Sequence, residues 1–525
     1  MTSIPICPEE FHVFDTSLRD GGQQEGISLS VTDKLKIATL LDELGVTFIE
    51  GGWPGANPAD TKFFAQAAQL RLTTSKLVAF GATRKASGRA ATDGMMQALL
   101  DAGTEYVCVV AKSHDEHVIR ALRSTLEENV EMVRDTVTYL TSQGRRVFVD
   151  CEHFFDGYHS NPGYALDVVR TAAEAGAEVV VLCDTNGGML PSWMGEVISA
   201  AAQTGANLGI HCHNDSGCAV ANTLAAVEAG VMHVQGTFNG YGERTGNADL
   251  ATVIPNLELK YNWRVLPKGR LSELTRVAHA IALVAHQPLL GRMPYVGHSA
   301  FAHKGGLHAS AVKVDAKLYQ HVEPKAVGND MRTLISDMAG RANVQIKGNQ
   351  LGFDLSDGAL AARITERVKA KEAEGYSYEA SDASFAMLLH AELGELEVPI
   401  EVESWRVFTE ERGGATTSEA TVKVVAKGER RMVVGEGNGP VNALDSALRA
   451  AVAGAFPEAA EFELTDYRVR ILDEGHGTDA IVRTLIDTSW RGTTWTTVGV
   501  GTNVVEASWE ALFDAVVYGI ITHLR

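Results

Sequence analysis

His211 and His213, two residues apart in NLGIHCHND, are the first residues whose spacing points to chemistry. On a strand, residues i and i+2 project to one face, so the two imidazoles form a two-point grip on a metal ion. Asp20 in SLRDGG can add a carboxylate oxygen, and Asn247 in GERTGNADL an amide oxygen. A mixed nitrogen and oxygen set with open positions suits Mg2+, Mn2+ or Zn2+; the lack of thiolate donors argues against a structural zinc centre. A lone HxH also has a plainer reading, as a strand histidine bonded within the core. Position decides between them.

Other polar residues carry paired readings. Arg19, beside Asp20, is either a rim ion pair or a fixed positive charge for a developing enolate or oxyanion. Glu152 either orients a neighbour or takes part in the reaction. Thr185 either donates to a substrate carboxylate or caps the following helix. Arg19, Asp150 and Thr185 form the candidate substrate-binding set. Cys151, Cys183 and Cys212 read as small core fillers. His298, His303 and His308, in a glycine-rich stretch, are three candidates for proton transfer, or surface and packing residues.

These residues need elements to hold them. Eight short apolar or β-rich runs recur in the first 240 residues: HVFDTSL, VTFIEGG, KLVAFGA, EYVCVVA, RVFVDCE, EVVVLCD, NLGIHCH and HVQGTFN. Segments of helical spacing lie between them. In DKLKIATLLDELG, for example, Leu35, Ile37, Ala38, Leu41 and Leu44 share a face. Several such segments end in Leu-Gly or Ala-Gly, as a left-handed helix terminus favours. Eight strands alternating with helices over about 250 residues predict a (β/α)8 barrel. The rival open dinucleotide-binding sheet wants GxGxxG at the first turn, where this chain has RDGGQQEG. In a barrel, chemistry belongs at the carboxyl ends of strands. Arg19, Asp20, Glu50, Asp150, Glu152, Asp184, Thr185, His211, His213 and Asn239 all fall there, with Glu243, Arg244 and Asn247 just beyond.

Length and composition set the frame. The chain has 525 residues, 45% hydrophobic and 21% charged, with a formal net charge of −20, so several domains and a soluble globular character are expected. The acidic balance argues against nucleic acid or an anionic membrane as partner. Six cysteines without a CxxC pair favour a reducing compartment. The opening MTSIPICPEEFHVFD has no signal-peptide pattern, so a cytoplasmic location is expected.

Five motifs in order, DTSLRDGGQQEG, IEGGWPGANP, HCHND, GYGERTGNADL and FAHKGGLHASA, resemble the metallolyase barrels that perform Claisen condensations on acetyl-CoA. That family includes the 2-isopropylmalate, homocitrate and citramalate synthases. EGGWPGANP and VDCEHFFDGY are most similar to the citramalate-forming branch. The resemblance implies a metal on Asp20, His211, His213 and Asn247, with pyruvate and acetyl-CoA as substrates. It also implies Arg19 at the reacting carbonyl, Glu152 near the thioester, Thr185 on the keto-acid carboxylate and His308 as the base. The family's tyrosine position holds Met331 here, and Tyr319 in LYQHVEP is the residue available to replace it.

Past residue 262 the beat stops. Residues 263–382 read as helical subdomains carrying the histidine segment, and 383–525 as an α+β domain with an internal repeat. VGEGNGPVNALDSALRA (434–450) and VGVGTNVVEASWEALFD (498–514) align, each after one strand-like run. Glycines entering a helix can cradle an anion, or the module can serve only to dimerise. In the resembled family this position holds the allosteric domain, which implies a homodimer inhibited by isoleucine. Rival expectations are the same chemistry on 2-oxoisovalerate or 2-oxoglutarate, a CoA-thioester lyase, and a sensor with a vestigial barrel.

Overall fold

The computed structural model describes residues 7–8, 10–472 and 480–524. Eight strands form a closed barrel in chain order: β1 (His12–Asp15), β2 (Phe48–Gly52), β3 (Lys76–Ala82), β4 (Tyr106–Lys112), β5 (Arg146–Glu152), β6 (Val179–Asp184), β7 (Leu208–Cys212) and β8 (His233–Gly236). All neighbours are parallel, and β1 closes on β8 from His12↔His233 to Asp15↔Gly236. Strands buried on both faces need continuous apolar runs, which VVVLCD in β6 supplies.

The first intervening helix, Val31–Leu44, has mutual caps. Ser30 accepts from the Asp33 N–H while the Asp33 carboxylate accepts from the Ser30 N–H. It ends at Gly45 with φ +96°, where a side chain would be strained. Ile37, Ala38, Leu41 and Leu44 are buried as the spacing predicts, but Leu35 is only half-buried. Lys34 is buried instead, because its ammonium reaches Asp60 and the Gly51 carbonyl.

Inside the barrel, aromatic rings close the amino-terminal end. Phe48 lies 4.7 Å from Tyr106 and 5.0 Å from Phe148, and Phe148 lies 5.2 Å from the buried His233 ring. The open end is therefore the carboxyl one, as in other barrels of this type.

The chain divides into two compact units, residues 1–301 with 322–330, and 302–321 with 331–525. The barrel unit runs past residue 262 because the helix Leu274–Val284 buries Leu274, Val277, Ala278 and Ile281 in the same core.

The second unit begins with a short parallel pair, β9 (Ala302–His303) and β10 (Arg332–Thr333). Helices Gly306–Val314, Arg341–Gln350, Gly358–Ala373 and Asp382–Leu393 belong to it. Two similar modules follow. The antiparallel strands β11 (Ile400–Arg412), β12 (Ala415–Ala426) and β13 (Glu429–Gly437) precede the helix Pro440–Val452. The strands β14 (Glu463–Ile471), β15 (Val482–Trp490) and β16 (Thr493–Gly501) precede the helix Val504–Gly519.

The repeat is therefore real, with one correction: each single strand-like run is a hairpin. Lys427–Gly428 and Arg491–Gly492 all have positive φ, the geometry of tight two-residue hairpin turns. The repeated glycines serve packing. A Cβ at Gly435 would lie 2.4 Å from the Ala447 nitrogen, and one at Gly499 2.0 Å from the Ala507 oxygen. Among the described residues, no helix is long and apolar enough to cross a membrane.

Candidate active site

β1 ends at Asp15, whose carboxylate accepts from the Ser17 N–H and hydroxyl. That turn sends Arg19 and Asp20 over the barrel mouth. β7 delivers His211 and His213 to the same place, with His211 Nε2 3.2 Å and His213 Nε2 3.8 Å from Asp20 Oδ2. Asp20, His211 and His213 are all buried, and their ligand atoms lie close enough to hold one metal ion. Asn247 joins through a backbone bridge to His213.

The fourth position passes a physical test. Asn247 is 2% exposed, and its amide nitrogen donates to the Tyr241 carbonyl at 3.0 Å. Its Oδ1 is buried without a hydrogen-bond partner. Leaving a buried acceptor unsatisfied costs about 1–3 kcal/mol. A hard cation beside two imidazoles and a carboxylate satisfies it, so the donor set fits the group.

The neighbouring strand supplies support. Gln235, on β8, donates from Nε2 to Asp150 Oδ1 at 3.0 Å, which turns its Oε1 toward His211 Nδ1 at 2.9 Å. An amide oxygen only accepts, so His211 carries a proton on Nδ1, and its Nε2 is the ring atom that faces Asp20 in the site.

Electrostatics follow from burial and pairing. Burial alone raises the Asp20 pKa, but the Arg19 guanidinium and the two imidazoles outweigh it and hold the group below the usual carboxylate range. Burial lowers His211, yet the hydrogen bond and charge of Asp20 leave it raised. Burial and the neighbouring His211 push His213 down to about 4, which keeps that imidazole neutral, the form in which it can ligate. Burial raises Asp150 and carries Glu50 up to about 7.

Arg19 realises its ion-pair reading. Nε donates to Glu50 Oε2 at 2.6 Å, Nη1 lies 3.6 Å from Asp20 Oδ2, and the guanidinium sits 4.0 Å over the Phe80 ring. It lines a cavity of about 420 Å3 with Asp20, Asp150, Glu152, Thr185, His211 and His213. Glu152 pairs with Lys112, which faces it in register on β4. Thr185 does not cap the following helix, Pro191–Ala202, whose N-cap is Leu190. Its hydroxyl accepts from the His153 N–H at 2.8 Å, which leaves its own proton free to donate.

Asn239 and Asp184 stand apart. Asn239 donates to the Ala278 carbonyl at 3.0 Å, and Asp184 accepts from the Gly188 and Met189 N–H groups. Arg244 clamps the rim with a two-pronged pair to Asp215 and a 2.7 Å bond to the Thr185 carbonyl. His308 and Tyr319 lie in the second unit, exposed, with rings stacked at 4.2 Å and 30°. His303, 6.3 Å from His308, is buried.

Two contributors escaped the sequence reading. Lys112 lies one residue past the end assigned to the fourth strand, so the strand-end rule reaches it once the strand is extended. Gln235 shows only as a polar residue in mid-strand.

Comparison with known proteins bears on this constellation. Residues 10–281 match the HMGL-like family, 295–375 the homocitrate synthase post-HMGL domain-like family, and 379–520 the LeuA allosteric (dimerisation) domain. An (R)-citramalate synthase of Streptomyces coelicolor is 60% identical over 99% of this chain and 98% of its own length. The chain belongs to the (R)-citramalate synthase family. Other members are the (R)-citramalate synthases of Synechocystis sp., 47% identical over 97% of this chain and 96% of theirs, and of Aquifex aeolicus, 46% identical over 98% of both. The citramalate synthase match runs through barrel, histidine segment and repeat module alike.

Proposed function

We propose that this chain is an acyltransferase that condenses acetyl-CoA with pyruvate and hydrolyses the resulting thioester, releasing (R)-citramalate and free CoA. The observation that carries this reading is the buried set Asp20, His211 and His213 with the orphaned Asn247 oxygen, beside the Arg19 guanidinium. Full-length similarity to (R)-citramalate synthases supports the substrate pair. The residues divide the work. Asp20, His211, His213 and Asn247 hold the divalent cation, Mn2+, Mg2+ or Zn2+. When bound, that cation acts as a Lewis acid on the keto and carboxylate oxygens of the 2-oxo acid.

Arg19, fixed by Glu50 and stacked on Phe80, stabilises negative charge developing on the keto oxygen. Thr185 donates its free hydroxyl proton to the substrate carboxylate, and Asp150 braces the same pocket through Gln235. Glu152, paired with Lys112, serves the thioester side. His308 takes a methyl proton from acetyl-CoA to generate the enolate, and Tyr319, stacked on its ring, is its partner group.

Residues 1–262 form the catalytic barrel in this reading, 263–382 the segment bearing the base, and 383–525 a regulatory module of a homodimer with isoleucine as its inhibitor. Similarity to the LeuA allosteric (dimerisation) domain supports regulation and association. The enzyme then opens a threonine-independent route to isoleucine, in the cytoplasm.

The test is free-thiol release from acetyl-CoA with a panel of 2-oxo acids, with and without isoleucine. Pyruvate is expected to give the highest kcat/KM, and isoleucine to suppress the rate. A strong preference for 2-oxoisovalerate or 2-oxoglutarate rejects the pyruvate assignment, and inhibition by leucine alone rejects the isoleucine assignment.

A further inference from the structure

The cavity at the barrel mouth has two unlike halves. Strands β1 and β5–β8 contribute the charged and hydrogen-bonding groups described above. The ends of strands β2–β4 contribute an apolar wall, Trp53, Phe80, Ala82 and Val110, bounded on β4 by Lys112, whose ammonium is paired with Glu152. A 2-oxo acid whose oxygens engage the polar half turns its alkyl group toward this wall. Trp53 is the wall's largest residue.

Trp53 is held at three points. Its N–H donates to Asp60 Oδ2 at 2.8 Å, and its indole Nε1 donates to Met95 Sδ at 2.9 Å. Its ring meets Phe80 edge-on at 5.2 Å and 84°, and Phe80 in turn carries Arg19 at 4.0 Å. Asp60 is buried and ion-paired with the buried Lys34, whose ammonium also donates to the Gly51 carbonyl at 3.1 Å. Gly52 must be glycine, because its φ is +138° and a Cβ there would lie 2.4 Å from Asp60 Cγ. A buried ion pair spent on fixing one backbone N–H at a cavity rim makes that side chain a rigid surface. Rigid apolar walls discriminate by size, and one methylene is worth about 10–200-fold in such a pocket.

We infer that Trp53 is the size filter of this site, admitting a 2-oxo acid with a single methyl group and turning away longer or branched ones. The inference rests on the proposed condensation. It is tested by measuring kcat/KM for pyruvate, 2-oxobutanoate and 2-oxoisovalerate in the full-length wild-type protein and in Trp53→Leu, Trp53→Phe and Asp60→Asn. In Trp53→Leu, the kcat/KM ratio of the larger acids to pyruvate is expected to rise about tenfold or more, with Mn2+ affinity unchanged. Asp60→Asn, which loosens the wall without shortening it, is expected to shift the ratio the same way by less.

An unchanged ratio in folded Trp53→Leu overturns the inference, as does a change confined to the KM for acetyl-CoA. Should Trp53→Leu fail to fold, Trp53→Phe decides, since it keeps the edge contact with Phe80 and removes the outer ring; no shift there is equally fatal. Wild-type protein that releases no thiol with any 2-oxo acid defeats the condensation reading, and this inference with it.

Discussion

Asp20 and the two histidines meet in buried space, with Asp20 Oδ2 3.2 Å and 3.8 Å from the two Nε2 atoms, and each depends on the others for its ionisation state. His213→Ala removes one donor from that set. It is expected to abolish Mn2+ binding by calorimetry and metal-dependent thiol release, while the far-ultraviolet circular dichroism stays that of the wild type. Gln235→Leu leaves every ligand in place but removes the acceptor that orients His211. Supporting partners of this kind are worth about 10–100-fold in metal affinity, and a loss of that order is expected. His308→Ala is expected to lower kcat by about 10²–10⁴ while the pyruvate KM holds, since general-base catalysis is worth that much and the substrate's oxygens bind elsewhere. At this scale the convergence of Asp20, His211 and His213 was readable because a spacing of two on a strand and a position at a strand end are local facts. Lys112 and Gln235 act across strands, on Glu152 and on Asp150 with His211, and that pairing exists only once the barrel closes.

Among the elements, the helices Pro440–Val452 and Val504–Gly519 show how tightly this chain packs. Gly499→Ala places a methyl group against a backbone oxygen, and Gly435→Ala against a backbone nitrogen. Overpacking typically costs about 1–3 kcal/mol, so each variant is expected to lower the melting temperature of the second unit, readable by calorimetry. The helix Val504–Gly519 also carries an ionisation signature. Burial, with Glu510 nearby, raises Asp514 from its ordinary 3.8 to about 7. A carboxyl raised in the folded state contributes stability that is full below pH 3.8 and lost as pH climbs through 7. Asp514→Asn is therefore expected to flatten the fall in melting temperature between pH 4 and 8, and to exceed the wild type at pH 8. Equal slopes in the two proteins would contradict that assignment. The barrel strands were legible because buried parallel strands demand apolar runs. The outer strands β11 and β14 were not, because β14 is exposed along nearly its whole length and carries no such run.

For the whole chain, two compact units each possess their own apolar cores; in the second unit one lies under the repeat module and another among the helices of residues 335–389. A ligand that binds only the native form of a unit protects that unit. Mn2+ is expected to slow amide hydrogen exchange in β1 and β7, and isoleucine to slow it in residues 434–450 and 498–514. Protection appearing in the opposite segments would contradict the division of roles. The repeat offset revealed the second module, while the hairpin inside each run needed the turns at Lys427–Gly428 and Arg491–Gly492 to be seen.

The aromatic rings of Phe48, Tyr106 and Phe148 with His233 leave the barrel a cul-de-sac. Whatever reacts inside arrives and departs by the same doorway, so the newly made hydroxy acid occupies the berth its successor needs. Citramalate should therefore slow turnover by competing head-on with the 2-oxo acid, a queueing effect visible as a rise in apparent KM with kcat untouched.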